Sequence, residues 1–138
     1  MNTLPSRIDA LLDLRARVLA AEVALDDSAP ASSAAERFDR RTRTGALRHE
    51  FAREVGALRH DLTGDDPVAR RRIASILILI DEIVQLRHEA ATASDPAMRA
   101  AMEAQAQAEL HAEVAGMMDM RATRADRPSL RLVRTATA

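Results

Sequence analysis

The chain has 138 residues, 47% of them hydrophobic, which suits one domain with a sizeable core. Its net charge is −1, so no global field attracts nucleic acid or an anionic membrane. Without cysteine the chain forms no disulfide, thiolate nucleophile or cysteine-ligated zinc site, and without lysine it has no Schiff-base chemistry. The first residues lack a basic start followed by an apolar run, and the longest apolar run is too short to span a bilayer. We therefore expect a cytoplasmic protein with no membrane span.

Two helices are predicted in the first half of the chain. Apolar residues at helical spacing run from about Leu4 to Leu25. A second helix is expected from Ser33, because Ser33 and Glu36 have the spacing of a capping box, and its apolar stripe reaches Leu62. Gly45 weakens the first half of this helix, which predicts either a kink or two separate helices.

The second half of the chain predicts two more helices, each starting with an Asp-Pro pair. Asp66 and Pro67 begin a helix that extends to about Ala91, and Asp95 and Pro96 begin the next. From about residue 121 the pattern stops. The predicted fold is therefore all-α, an antiparallel bundle of about four helices over residues 1–120, followed by an arginine-rich, flexible tail over residues 121–138.

Helix three carries the run "ILILI" at residues 76–80, five branched apolar side chains in succession. At about 100° per residue, Ile78 lies nearly opposite Ile76, so burying all of them requires cover on every side of the helix. Each buried side chain of this size contributes about 1.5–3 kcal/mol. We therefore predict a homodimer of coiled-coil type through helices two and three; the alternative is a monomer with helix three at its centre. The residues predicted to form this contact are Ile78, Leu79, Ile83 and Leu86.

Catalytic, metal and cofactor sites are not predicted. Around each of the four histidines, the positions three and four residues away hold no His, Asp or Glu, so no local metal motif exists. Carboxylate pairs such as Glu50 and Glu54 lie on one helix face, but beside many arginines such pairs are usually solvated or ion-paired. We therefore expect a protein that is not an enzyme.

The segment Arg48-His49-Glu50-Phe51 resembles the phosphoacceptor region of sensor-kinase dimerisation hairpins. In that family a solvent-exposed histidine, followed by an acid, lies on the first helix of a two-helix dimer. The resemblance implies that His49 would accept a phosphoryl group and that Glu50 would assist. Histidine phosphotransfer at His49 is the second of two alternative functions.

Arginine clusters and methionines are the remaining candidates for binding. Arginines could grip phosphates, and nucleic-acid binding through them is the first alternative function. The candidate anion or nucleic-acid contacts are Arg37, Arg40, Arg41, Arg43, Arg70, Arg71 and Arg72. Methionines are either an adaptable groove or ordinary core; they are Met98, Met102, Met117, Met118 and Met120. The favoured prediction is a non-catalytic helical module for protein–protein interaction: an adaptor, chaperone or small regulator with a protein partner.

Overall fold

The computed structural model describes residues 3–27 and 33–125 and shows four α-helices within them. They are α1 (Leu4–Asp27), α2 (Ala34–Thr63), α3 (Pro67–Ala90) and α4 (Pro96–Ala125), and no strand occurs in these two segments. The all-helical prediction is thereby confirmed. Helix α4 continues five residues past the predicted limit of the helical domain, and residues 126–138 of the predicted flexible tail lie outside the described residues.

Side-chain caps fix the starts of α2 and α3 as the sequence predicts. The hydroxyl of Ser33 accepts a hydrogen bond from the backbone N–H of Glu36 at 3.2 Å. The Asp66 carboxylate accepts from the N–H groups of Val68 and Ala69, and Pro67 occupies the first turn, where its missing N–H costs nothing.

Helix α2 is one continuous helix of 30 residues, so of the two alternatives at Gly45, two separate helices is wrong. A single glycine costs a helix only about 1 kcal/mol relative to alanine. The two threonines just before it do not break the helix, because their hydroxyls bond to carbonyls one turn earlier in the same helix. Thr42 donates to the carbonyl of Phe38 at 2.9 Å, and Thr44 donates to that of Arg40 at 2.8 Å.

Helices α1 and α2 run antiparallel, and so do α3 and α4, as the ion pairs within each of these two pairs show. Between α1 and α2, Arg7 pairs with Asp61 and Glu22 pairs with Arg48, so the numbering of one helix rises as that of the other falls. The same relation holds between α3 and α4. Contacts are most extensive within the α1–α2 and α3–α4 pairs, and α1 and α2 both also contact α3.

Helix α3 is central to the core and buries eight residues. Ile76, Ile80 and Ile83 are each 0% exposed. They join residues of the other three helices in one apolar cluster. Their number at helical spacing explains why this helix contributes more buried residues to the core than α1 or α2 does.

The "ILILI" run is not buried on all sides within the single chain. Leu79, Ile83 and Leu86 are buried by the chain's own helices, so little of their surface is left for a second copy. Leu77 is partly buried against the core, whereas Ile78 is 67% exposed. Within the described residues, α1, α2 and α4 thus enclose only one side of α3, and cover of the remaining side by a second copy stays a prediction. Of the four predicted contact residues, Ile78 remains at the surface.

The first part of α2 packs lightly. Arg48 pairs with Glu22, five residues before the end of α1, so α2 residues before about 43 run past the last residue of α1. Between Ala34 and Glu54, Thr44 is the one residue that is fully buried. We call residues 34–46 the α2 arm.

Among the described helices, none combines the length and apolarity that a membrane crossing requires.

Candidate interaction surface

The predicted arginine contacts fall into two groups that the fold keeps apart. Four of them lie in the α2 arm, and Arg70, Arg71 and Arg72 lie in the first turns of α3. From Arg41 to the end of α2 is 22 residues, or about 33 Å of helix. The two groups are therefore at opposite ends of the bundle and do not form one phosphate-binding stripe.

Most of these arginines have partners inside the protein. Arg43 pairs with Asp39 at 3.0 Å, Arg70 with Asp65 at 3.7 Å, and Arg72 with Glu113 at 3.4 Å. Arg37 and Arg40 are half-buried and also interact. Arg41 and Arg71 are exposed and form no ion pair within the described residues. Arg43 and Arg70 nevertheless remain 76% and 60% exposed, so these two ion pairs are surface pairs of small energetic weight.

The predicted phosphoacceptor, His49, is exposed on α2, and so is His60 further along the helix. Glu50 lines a groove of about 610 Å³ between α1 and α2. The floor of that groove is apolar, and its rim carries four carboxylates and two arginines, of which Arg7 bonds Asp61 at 3.0 Å. Within the described residues, no group of three or more His, Asp or Glu is placed to hold a metal ion.

The outward side of α4 differs in composition from the rest of the surface. Between Ala97 and Met118, thirteen residues are exposed, and ten of them are alanine or methionine. By contrast, eight of the sixteen exposed residues between 34 and 54 on α2 are charged. We call these thirteen residues the α4 face. Its members are Ala97, Met98, Ala100, Ala101, Met102, Ala104, Gln105, Ala108, Glu109, His111, Ala112, Ala115 and Met118.

The charges of α4 are directed toward α3, which is why the α4 face has almost none. Glu103 accepts a hydrogen bond from Arg87 at 2.6 Å, and Glu113 pairs with Arg72. Arg99 pairs with Glu89 and Arg124 with Asp66. Each of these four pairs joins α4 to α3 or to its cap, so they hold the hairpin together and leave Glu109 as the one charged residue of the face.

Grooves flank the α4 face on both sides. On the α3 side, a groove of about 460 Å³ is lined by Ile78, Leu79 and Ala112, with Glu82 and Glu109 at its edge. On the α1 side, a groove of about 280 Å³ is mainly apolar. It is lined by Pro5, Ile8, Leu12, Leu110, Val114 and Met118, among others. The groove on the α1 side is thus mainly apolar, whereas three glutamates, with Glu113 as the third, line the groove on the α3 side.

The methionines divide between core and surface. Met117 is 1% exposed and belongs to the core, and Met120 is partly buried against it. Met98, Met102 and Met118 are 60%, 46% and 46% exposed. Sequence patterning named the exposed methionines as candidates for binding but missed the alanines of the α4 face, because they do not form a conspicuous apolar stripe. The signal that could have found it is the missing charge on the side away from the core.

Comparison with protein-family models, with curated proteins and with solved structures gives no match.

Proposed function

We propose that the protein is a non-catalytic protein-interaction module, an adaptor or small regulator, that self-associates. The observation that carries the proposal is the α4 face: ten exposed alanines and methionines over about 32 Å of helix, in a chain of which 30% is charged. Contiguous exposed apolar surface with a polar surround marks interaction sites on soluble proteins. Methionine suits such a surface, because its side chain adapts to the shape of what it contacts.

Light scattering coupled to size-exclusion chromatography tests this proposal. The chain has a mass of 15.1 kDa, and self-association predicts a mass that rises toward twice this value as the loading concentration increases. A constant monomer mass up to millimolar loading would refute self-association. The chain has no Trp or Tyr, so absorbance at 260 nm in the same run reports bound nucleic acid almost without protein background.

Nucleic-acid binding is the second candidate, and the α2 arm is the observation that favours it. The arm carries four arginines against Glu36 and Asp39, and next to them Phe38 is 72% exposed, as a base-stacking side chain would be. This function predicts binding to a labelled oligonucleotide that weakens with salt and is lost when Arg40, Arg41 and Arg43 become alanine. Under our proposal, no such binding occurs at 150 mM salt.

Histidine phosphotransfer is tested by comparing two exposed histidines of the same helix. If His49 is a phosphoacceptor, phosphoramidate should label it with acid-labile phosphate faster than it labels His60, and His49→Gln should remove the fast phase. We expect equal, slow labelling of both residues, because each lies exposed on α2.

A further inference from the structure

We infer that the occupant of the α4 face is a second copy of this chain, whose α4 lies antiparallel to the first. This inference rests on the proposed self-association and adds the surface and the geometry. Pairing through α4 takes the place of the dimer contact predicted from sequence through Leu79, Ile83 and Leu86, because these three residues are buried within the single chain.

The α4 face contains the seam that a paired helix requires. Exposed residues recur along it at steps of 4, 3, 4, 3 and 4, the spacing of the contact positions in a coiled coil. Five of the six are alanines, which allow two helices to approach closely. They are Ala97, Ala101, Ala104, Ala108, His111 and Ala115. The midpoint of this seam lies at residue 106, and in antiparallel pairing Ala104 lies opposite Ala108 of the second copy.

The distribution of charge favours the antiparallel arrangement. Glu109 is three residues from the midpoint, so antiparallel pairing keeps the two copies of this carboxylate about 9 Å apart along the axis. Parallel pairing would bring Glu109 level with itself, which is unfavourable for like charges. The exposed residues nearest the midpoint are Ala104, Gln105 and Ala108, all uncharged. In an antiparallel pair the two helix dipoles also point in opposite directions, which is favourable for neighbouring helices.

The groove between α3 and α4 supplies an independent reason for the same arrangement. Met98 and Met102 precede the midpoint by eight and four residues, and the α4 residues lining the groove, from Glu109 to Glu113, follow it by three to seven. Antiparallel pairing therefore brings the two methionines of one copy level with the groove of the other, beside the exposed Ile78. Parallel pairing would leave them about 15 Å away along the helix. The second copy thus covers the one side chain of "ILILI" that the chain itself leaves bare.

The size of the face sets the expected strength of the dimer. A strip about 32 Å long and about 10 Å wide presents about 320 Å² per copy, to which Ile78 and the methionines add. Stable interfaces bury about 800 Å² per partner. We therefore expect a weak dimer, with a dissociation constant in the micromolar range or above and a mass that depends on concentration.

Cross-linking tests the geometry, and the absence of native cysteine makes it simple. Ala97→Cys and Ala115→Cys are prepared separately and treated with a short bis-maleimide, alone and mixed. Antiparallel pairing predicts cross-linked dimer in the mixture and almost none with either variant alone, because each cysteine is then about 27 Å from its own copy. Dimer from Ala97→Cys alone, or no cross-link in a mixture that scattering shows to be dimeric, would overturn the inference.

A charge placed in the seam separates this inference from the proposed function. Ala108→Glu should raise the dissociation constant at least tenfold, whereas Ala57→Glu, at an exposed position of α2, should leave it unchanged. Circular dichroism confirms that both variants fold. If Ala108→Glu dimerises like the parent chain, self-association stands but uses another face. If the parent chain is monomeric at every concentration, both proposals fail.

Discussion

The helical glycines provide a sharp test of the packing between α3 and α4. A Cβ built at Gly56 in α2 would meet nothing within 4 Å, so Gly56→Ala should recover the cost of glycine in a helix, about 1 kcal/mol. A Cβ built at Gly116 in α4 would lie 2.6 Å from Cζ of Arg72 and closer still to Nη1, so the guanidinium must move. Moving it breaks the ion pair between Arg72 and Glu113. Both side chains are about one-third exposed, so the loss of this pair costs about 0.2–1 kcal/mol. It also disturbs a side chain whose Nε is buried without a hydrogen-bond partner. The gain and the costs nearly cancel for Gly116→Ala.

Thermal and urea denaturation of the two variants at low protein concentration measure this difference. We expect Gly56→Ala to raise the melting temperature by about 4 °C and Gly116→Ala to change it by less than about 1 °C. When Arg72 is already alanine, adding Gly116→Ala should raise the melting temperature as Gly56→Ala does, because the obstructing guanidinium is gone. Equal stabilisation by the two alanines would show that Arg72 does not pack over Gly116, and the reasoning would be refuted.

Three further substitutions test the core, a cap and a turn, each by urea denaturation of the monomer. Ile76→Ala should lower the free energy of unfolding by about 2–5 kcal/mol, whereas Ile78→Ala at the exposed position should change it by less than about 0.5 kcal/mol; equal effects would contradict the assigned sides of α3. Asp66→Ala should cost about 0.5–2 kcal/mol, because two backbone N–H groups lose their acceptor and Arg124 loses its ion-pair partner, whereas Asp65→Ala, which removes only an exposed ion pair with Arg70, should have a smaller effect. Gly64 has a φ of +47°, so Gly64→Ala should cost about 1–2 kcal/mol; no loss would mean that the turn has another conformation.

The helices could be predicted from sequence because their signals are local. Ser33 and Asp66 cap the backbone within three residues of themselves, and the isoleucines of α3 recur with the period of a helix. Such features depend on neighbours along the chain, so the sequence contains all the information needed. The central position of α3 follows from the same periodicity.

Relations between helices could not be predicted in this way. The sequence shows Ile78 and Leu79 as equivalent apolar residues, but only the placement of α4 makes one of them exposed and the other buried. The partners of Arg72 and Arg87 lie 41 and 16 residues away, so no local pattern indicates that these arginines are occupied. The α4 face escaped notice for the same reason, since only the fold tells which side of an alanine-rich helix is turned outward.

The uneven packing of α2 has a consequence for how this helix opens. Its second half contributes Val55, Leu58 and Leu62 to the core, whereas Thr44 is the one fully buried residue of the α2 arm. Amide protons in the arm should therefore exchange with deuterium through local fraying, and those near Leu58 only when the whole bundle unfolds. One continuous helix would then show a gradient of protection along its length. A protease needs a locally extended chain. Trypsin should therefore first cut this helix at the arginines of the arm, while the rest of the bundle remains folded.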